Sequence, residues 1–370
     1  MHSSDQAISN VGGSVQRFFD TAFSGVEING PELNPPEIQK SPLMLVSTHR
    51  SHTDYFLVGH YFFRKGFRGL RFAAGDNLTN LPYLGPRFKN WGAFPVSRDT
   101  GFERNYVRNL CKSVKSMLQG GQAVILFPEG GRSYSGSMLD IKYGILGASV
   151  LLQAENPQSD VYLLPIAVSY EYPPDLPYFK MLLKGKSYRK RTNPAFKRIL
   201  GNIMYFGADI LAYAPAMAAK YTGKKKYGKI YVDYETPVSV REMVDVSANR
   251  IENARDDFSS HRASMQKVSD VIQARFINLF RILPVHLVAF ILKNGKFTGT
   301  DQISSEIPSL LKKLAEVSRN LKQVDTETPE SIVKTGIEHL VRTKAVSFKN
   351  GRLSIKKQEI IDYFAQSIKL

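Results

Sequence analysis

The chain has one cysteine, Cys111, in 370 residues. That excludes an internal disulfide and suits a reducing compartment. Within Asn109-Leu110-Cys111-Lys112 it reads as a helix position and a structural one. Histidine is also scarce. The seven are His2, His49, His52, His60, His261, His286 and His339. His49 and His52 with a carboxylate fall short of a metal ligand set, and no cysteine supplements them, so no metal is expected. Met1-His2-Ser3-Ser4-Asp5-Gln6 lacks both a basic region and an apolar core, so no secretory signal is expected. Repeats and low-complexity tracts are missing too. Apolar residues are not: at 43% apolar and 11% aromatic, the chain can fill the core of one large or two modest domains.

Acidic residues are in short supply, 33 against 50 Lys and Arg, for a net charge of +17. The deficit is local. Lys180 to Lys229 holds thirteen basic residues and one acid, Asp209, or +12, while the other 320 residues carry only +5. An anionic partner is expected there. Inside the segment, the twenty-one residues Ile199 to Ala219 carry a single charge. Gly201, Asn202, Gly207, Asp209 and Pro215 argue against a clean membrane span. An interfacial or re-entrant segment with basic flanks on anionic headgroups fits better.

Strand and helix patterns alternate. Residues 1–40 read as a short amphipathic helix around Val15 to Phe19, then an extended link rich in Pro and Gly. Strands are expected at Leu43–Thr48, Arg71–Ala74, Ala123–Phe127, Val161–Tyr170 and Lys229–Tyr234, and helices at Tyr55–Phe63, Glu103–Gln119 and Tyr143–Gln153. This order predicts an α/β fold: a three-layer domain over 41–240, with a largely parallel sheet flanked by helices and the basic insertion at 180–229. Phe276 to Leu292, broken by Arg281, Pro284 and His286, is expected to face the core. Residues 241–370 read as mainly helical. Helices at Ile307–Asn320 and Pro329–Thr343 precede an Asn350-Gly351 hairpin, which looks like a winged helix.

His49 and Asp54 stand five residues apart, just after the apolar run Leu43 to Val46. A strand ending there presents both at the mouth of a sheet, where open α/β folds place their sites. A neutral imidazole can take a proton from a hydroxyl at pH 7, and a carboxylate beside it fixes the tautomer and stabilises the imidazolium. No Ser or Cys nucleophile is needed if the substrate brings the hydroxyl. Phe127-Pro128-Glu129-Gly130-Gly131-Arg132-Ser133 follows another buried-strand run. Its glycines let backbone approach a ligand and expose N–H groups to anions, and Arg132 brings a fork suited to phosphate.

Between these blocks lies Gly92-Ala93-Phe94-Pro95-Val96-Ser97-Arg98, and after them Leu163-Leu164-Pro165-Ile166-Ala167-Val168. In that order the four blocks resemble the glycerolipid acyltransferases with their H-x-x-x-x-D motif. The E-G-G-R-S and H-R-S-H-x-D-Y forms look most like the glycerol-3-phosphate and dihydroxyacetone-phosphate branch. The resemblance implies an O-acyltransferase that moves a fatty acyl group from acyl-CoA or acyl-carrier protein to glycerol-3-phosphate, with no other cofactor. It makes His49 the general base and Asp54 its orienter. Arg98 and Arg132 would hold the acceptor's phosphate, with Ser133 as a neutral donor and Gly130 and Gly131 bringing backbone N–H groups beside it; Glu129 would either order the loop or pair an arginine, and Pro165 would shape the thioester pocket. It also implies work at the cytoplasmic face of a membrane. Two positions depart from the pattern. Many relatives have two arginines in the second block, where Ser97 precedes a single Arg98, and a basic residue where Tyr134 stands. Both changes thin the phosphate-binding charge.

A dihydroxyacetone-phosphate or lysophospholipid acyltransferase shares most of these features. A nucleic-acid binder would need a basic recognition helix, whereas Pro329–Thr343 sets Lys334 and Arg342 against Glu330 and Glu338. No nucleic acid is expected as a partner.

Overall fold

The computed structural model describes residues 3–75, 79, 84–97, 104–183, 227–244, 260–295, 297, 299–349 and 352–369. The expectations for Arg98, for most of the Lys180–Lys229 segment, and for the tip Asn350-Gly351 lie outside them.

One sheet organises the α/β part. Its strands are β1 (Phe23–Asn29), β2 (Leu43–Ser47), β3 (Leu70–Gly75), β4 (Ala93–Val96), β5 (Ala123–Leu126), β6 (Tyr162–Tyr170), β7 (Tyr227–Tyr234) and the short β8 (Val238–Ser239). They stand in the order β1-β7-β6-β2-β5-β3-β4, with β8 beside β6. The block from β6 to β4 is parallel, while β7 and β8 pair antiparallel to β6. β2 and β5 are buried along their whole length, which is why both read as unbroken apolar runs.

Helices cover both faces. α1 (Ser3–Ala22) and α2 (Asp54–Arg64) pack on one side, where Leu43, Leu45 and Ile125 meet Phe19, Leu57 and Phe62. α3 (Leu84–Asn90) follows β3. On the other face Met44, Val46 and Val124 meet α4 (Arg104–Gln119), α5 (Tyr143–Glu155) and, further along the chain, α7 (Arg262–Leu279). Alternate residues of one strand thus serve two cores. Cys111 lies in the second, donating to the Gly144 carbonyl at 3.0 Å, and burial pushes its thiol up to about 12.

The extended link expected between the first helix and about residue 40 is corrected in its first part by β1, which pairs in parallel with β7 from Phe23↔Tyr227 to Asn29↔Asp233. Its sequence, Phe-Ser-Gly-Val-Glu-Ile-Asn, gives a weak strand signal because it forms a half-buried edge. The helix before it is also longer than expected. It is tied down by the buried Asp5, whose carboxylate accepts the Gly69 N–H at 2.8 Å.

After β6 comes α6 (Leu176–Leu183). The C-terminal region builds α8 (Pro284–Asn294), α9 (Thr300–Glu316), α10 (Pro329–Arg342), the hairpin β9 (Val346–Lys349)–β10 (Arg352–Ile355), and α11 (Gln358–Ala365). The expected break in Phe276–Leu292 falls between α7 and α8, and both flanks are buried. Arg281 in that break forks onto Asp233 of β7 at 2.5 and 3.0 Å, and its guanidinium lies over the Tyr231 ring. α10 turns Ile332, Val333, Gly336 and Ile337 inward, and leaves Lys334, Glu338 and Arg342 outside with their charges mixed. The apolar core of this region includes Ala167, Tyr231, Leu176 and Phe179, so it packs against the sheet.

His286 at the start of α8 is buried, and its Nδ1 accepts the Leu283 N–H at 3.1 Å. Burial, reinforced by Arg50, Arg319 and His339, lowers its pKa to about 3. Above pH ~6.5 the ring is neutral in both folded and unfolded chains and contributes no pH dependence. Below that only the unfolded chain takes the proton, so stability falls from about pH 6.5 toward 3, by up to ~1.4 kcal/mol per unit. An asparagine can keep the acceptor. His286→Asn is therefore expected to flatten the denaturant-midpoint curve below pH 6.5, and curves parallel to the wild type would refute this assignment.

Candidate active site

β2 delivers the chain to the mouth of the sheet, and the next six residues form a loop fixed by the backbone of its neighbours. Thr48 N–H donates to the Ile166 carbonyl at 3.0 Å, and its hydroxyl accepts Val168 N–H at 2.9 Å. His49 comes next, 2% exposed. Its Nδ1 lies 3.0 Å from Oδ2 of Asp54, the first residue of α2. Asp54 is fully buried. The same Oδ2 accepts the N–H groups of Arg50 at 2.6 Å and Ser51 at 2.8 Å, and Oδ1 accepts the Tyr170 hydroxyl at 2.6 Å. A carboxylate held by three other donors at a helix N-terminus stays an acceptor. Nδ1 of His49 must therefore carry the proton, which leaves Nε2 with its lone pair, the form of a general base.

A second loop closes around the first. Glu129, buried just beyond β5, accepts the His49 N–H on Oε1 and the Leu139 N–H on Oε2, each at 2.9 Å. Gly130 takes φ +71°, a left-handed value that suits glycine. Ser133 N–H donates to the His49 carbonyl at 3.0 Å. The Ser133 hydroxyl donates to the Ser137 carbonyl at 2.5 Å and accepts Gly136 N–H at 3.1 Å, so it braces the loop from within. Arg50 reaches across to the Ser137 carbonyl at 3.0 Å and lies over the Phe280 ring. The C-terminal region completes the support, because Ser367 donates to the Gly136 carbonyl at 3.2 Å.

These loops border a cleft of about 400 Å³. His49, Gly130, Gly131 and Lys142 line it, and Val96, Val107, Leu110 and Ile145 give it an apolar wall. The His49 ring is set by Phe127 at 4.5 Å between centroids and by Tyr55 at 5.1 Å. A charged mouth beside a greasy wall suits a polar acceptor and an acyl chain.

The structure thus brings His49, Asp54, Glu129, Gly130, Gly131 and Ser133 together. Arg132 sits beside them but faces elsewhere. Its Nη1 lies 2.6 Å from the buried Asp175, and its guanidinium stacks near Tyr178 and Phe179. Asp175 also accepts the His52 N–H at 3.1 Å, so it ties the two loops together. Pro165 was expected to mark a bend or a position beside an edge, and it lies in the central strand β6 opposite Val46. Its nitrogen faces the three-residue offset between β7 and β8, so no ladder bond is lost. Sequence reasoning missed Tyr170, Arg50, Asp175 and Lys142. Only the tyrosine's place at the end of a strand running parallel to β2 could have pointed to it.

A tautomer-fixed histidine at the mouth of a mostly parallel sheet, beside a Gly-Gly loop, has what a general base for an attacking hydroxyl requires. A family model described as acyltransferase matches residues 25–169, and one for the glycerol-3-phosphate acyltransferase C-terminal region matches 217–360. The two models together cover most of the chain, and both describe acyltransferases. It is 21% identical over 360 residues to a glycerol-3-phosphate acyltransferase of Actinobacillus pleuropneumoniae serotype 3 (strain JL03), covering 94% of this chain and 41% of that one. It is 24% identical over 337 residues to the enzyme of that name from Xanthomonas axonopodis pv. citri (strain 306), covering 88% and 36%. The chain therefore spans about two fifths of the length of the curated relatives it matches. A crystal structure of the 1-acyl-sn-glycerophosphate acyltransferase from Thermotoga maritima aligns with TM-score 0.35 and 15% identity, over 73% of this chain and 83% of that one.

Proposed function

We propose that this chain transfers a fatty acyl group from a thioester donor, acyl-CoA or acyl-carrier protein, to the sn-1 hydroxyl of glycerol-3-phosphate. The observation that carries the reading is the His49–Asp54 contact at 3.0 Å, at the edge of a cleft that also holds an apolar wall. His49 Nε2 takes the acceptor's hydroxyl proton as that oxygen bonds to the thioester carbon. Asp54 stabilises the imidazolium that forms. The tetrahedral intermediate then collapses, the C–S bond breaks, and the imidazolium returns the proton to the leaving thiolate. The products are an ester and a free thiol, and the step balances with no other reactant. Glu129 holds the His49 backbone, so it positions the base and stays out of the proton transfer.

The donor and product are amphipathic, which favours work at a membrane surface, on the cytoplasmic face where such thioesters are made. No helix among the described residues is long and apolar enough to cross a bilayer. The basic segment Lys180–Lys229 would then hold the enzyme to anionic lipid. Binding to vesicles containing phosphatidylglycerol is expected to weaken with salt, because headgroup attraction is screened within about a Debye length. Equal sedimentation with neutral and anionic vesicles would count against that role.

The activity is tested by giving the purified chain one acyl-CoA and one acyl-carrier-protein donor against glycerol-3-phosphate, dihydroxyacetone phosphate and lysophosphatidate. Glycerol-3-phosphate is expected to give the highest kcat/KM. Preferential acylation of either other acceptor would overturn the acceptor assignment, and no transfer at all would overturn the reaction.

A further inference from the structure

We propose that Lys142 is the residue that grips the acceptor's phosphate in the His49 cleft, and that Arg132 acts as a brace. The inference rests on the acceptor reading above and assigns its phosphate site to particular side chains.

Arg132 is poorly placed for that task. Its guanidinium is committed to Asp175 at 2.6 Å, lies near two aromatic rings, and is no part of the cleft lining. Ser97, which lines the cleft where the second block ends, is neutral. Among the described residues that line the cleft, Lys142 is the sole lysine or arginine.

The geometry explains how a residue ten positions beyond Arg132 arrives there. Lys142 N–H donates to the Pro128 carbonyl at 2.9 Å, fixing its backbone beside the end of β5. Its stem then runs across Gly130. A Cβ built on that glycine would stand 3.1 Å from the lysine Cδ and 3.2 Å from Nζ. The bare face of Gly130 therefore gives the ammonium its passage into the cleft. Lys142 also precedes α5, whose first turn includes the cleft-lining Gly144 and Ile145, so the helix N-terminus adds to the positive field. A phosphate set against Nζ would share its cleft with His49.

The test compares Lys142→Met, Lys142→Arg and Arg132→Met. Losing one charge-assisted contact to phosphate weakens it by about 10- to 100-fold. Lys142→Met is expected to raise the KM for glycerol-3-phosphate by that factor, and that of the acyl donor less than twofold. The preference for glycerol-3-phosphate over glycerol should fall by the same factor, and Lys142→Arg should restore part of it. Arg132→Met should lower the thermal midpoint and affect both substrates alike. Calorimetric titration with inorganic phosphate separates this inference from the acceptor reading. Phosphate binding that depends on Lys142, without acylation of glycerol-3-phosphate, would overturn the acceptor and keep the site. Acylation with an unchanged preference in Lys142→Met, or an acceptor-specific KM effect in Arg132→Met alone, would overturn the role of Lys142.

Discussion

Replacing His49 by alanine is expected to lower acyl transfer by about 10²- to 10⁴-fold, the usual worth of a general base. The fold should survive, because the contacts that hold this loop use the backbone of residue 49: its N–H to Glu129 and its carbonyl to Ser133 N–H. The KM values should change little, since the proton moves only as the transition state forms. Asp54→Asn tests the same pair differently. Arg50 N–H and Ser51 N–H both point at Oδ2, so the new side chain must present its carbonyl oxygen there. That oxygen can still accept from His49 Nδ1, and the amide nitrogen then meets the Tyr170 hydroxyl, which can accept. The tautomer is preserved and the negative charge is lost. A fall of about 10²- to 10⁴-fold in kcat with an intact fold is expected, arising from the unshielded imidazolium. Near-normal turnover in His49→Ala would remove the base from the mechanism.

Gly136→Ala is expected to be the most disruptive single-methyl change near the site. Gly136 takes φ +90°, and an added Cβ would stand 1.8 Å from the Tyr363 carbonyl oxygen of α11. Neither backbone can yield without separating α11 from the loop. Strain at such a φ and overpacking together cost roughly 2–5 kcal/mol. The damage should reach catalysis as well. Residues 133–137 carry the Ser133 bonds and the carbonyl held by Arg50, and Ser133 N–H in turn holds the His49 carbonyl. Both the denaturant midpoint and the turnover of the folded fraction should drop. Gly131→Ala is the control. Nothing lies within 4 Å of its added Cβ, so its stability should stay within ~1 kcal/mol of wild type. Equal midpoints for the two variants would show that the C-terminal region does not lock the loop.

Much of this site could be read from the chain because its parts are short and local. Asp54 stands five positions after His49, and one turn leading into a helix suffices to join their side chains. The Glu129 to Ser133 block lies at the end of a strand whose burial on both faces is written as an uninterrupted apolar run. Residues read as ligands behave less uniformly. Ser133 and Arg132 have the chemistry of phosphate binders, but a hydroxyl or guanidinium carries no sign of which neighbour will claim it. Asp175, forty-three residues beyond Arg132, claims the arginine.

The sequence by itself determined the layered α/β order, the parallel strands, the histidine–aspartate pair and the helical C-terminal region with its hairpin. These follow from periodicity, turn chemistry and spacing within a few residues, which act before distant segments meet. The tertiary structure decided the rest. It set Tyr170 on Asp54 from 116 residues away, because β6 lies against β2. It recruited β1 to the sheet edge, brought Lys142 across Gly130 into the cleft, and closed α11 over Gly136. Each of these depends on which surfaces remain uncovered once the sheet has formed, a property of the assembled fold that no local stretch of chain encodes.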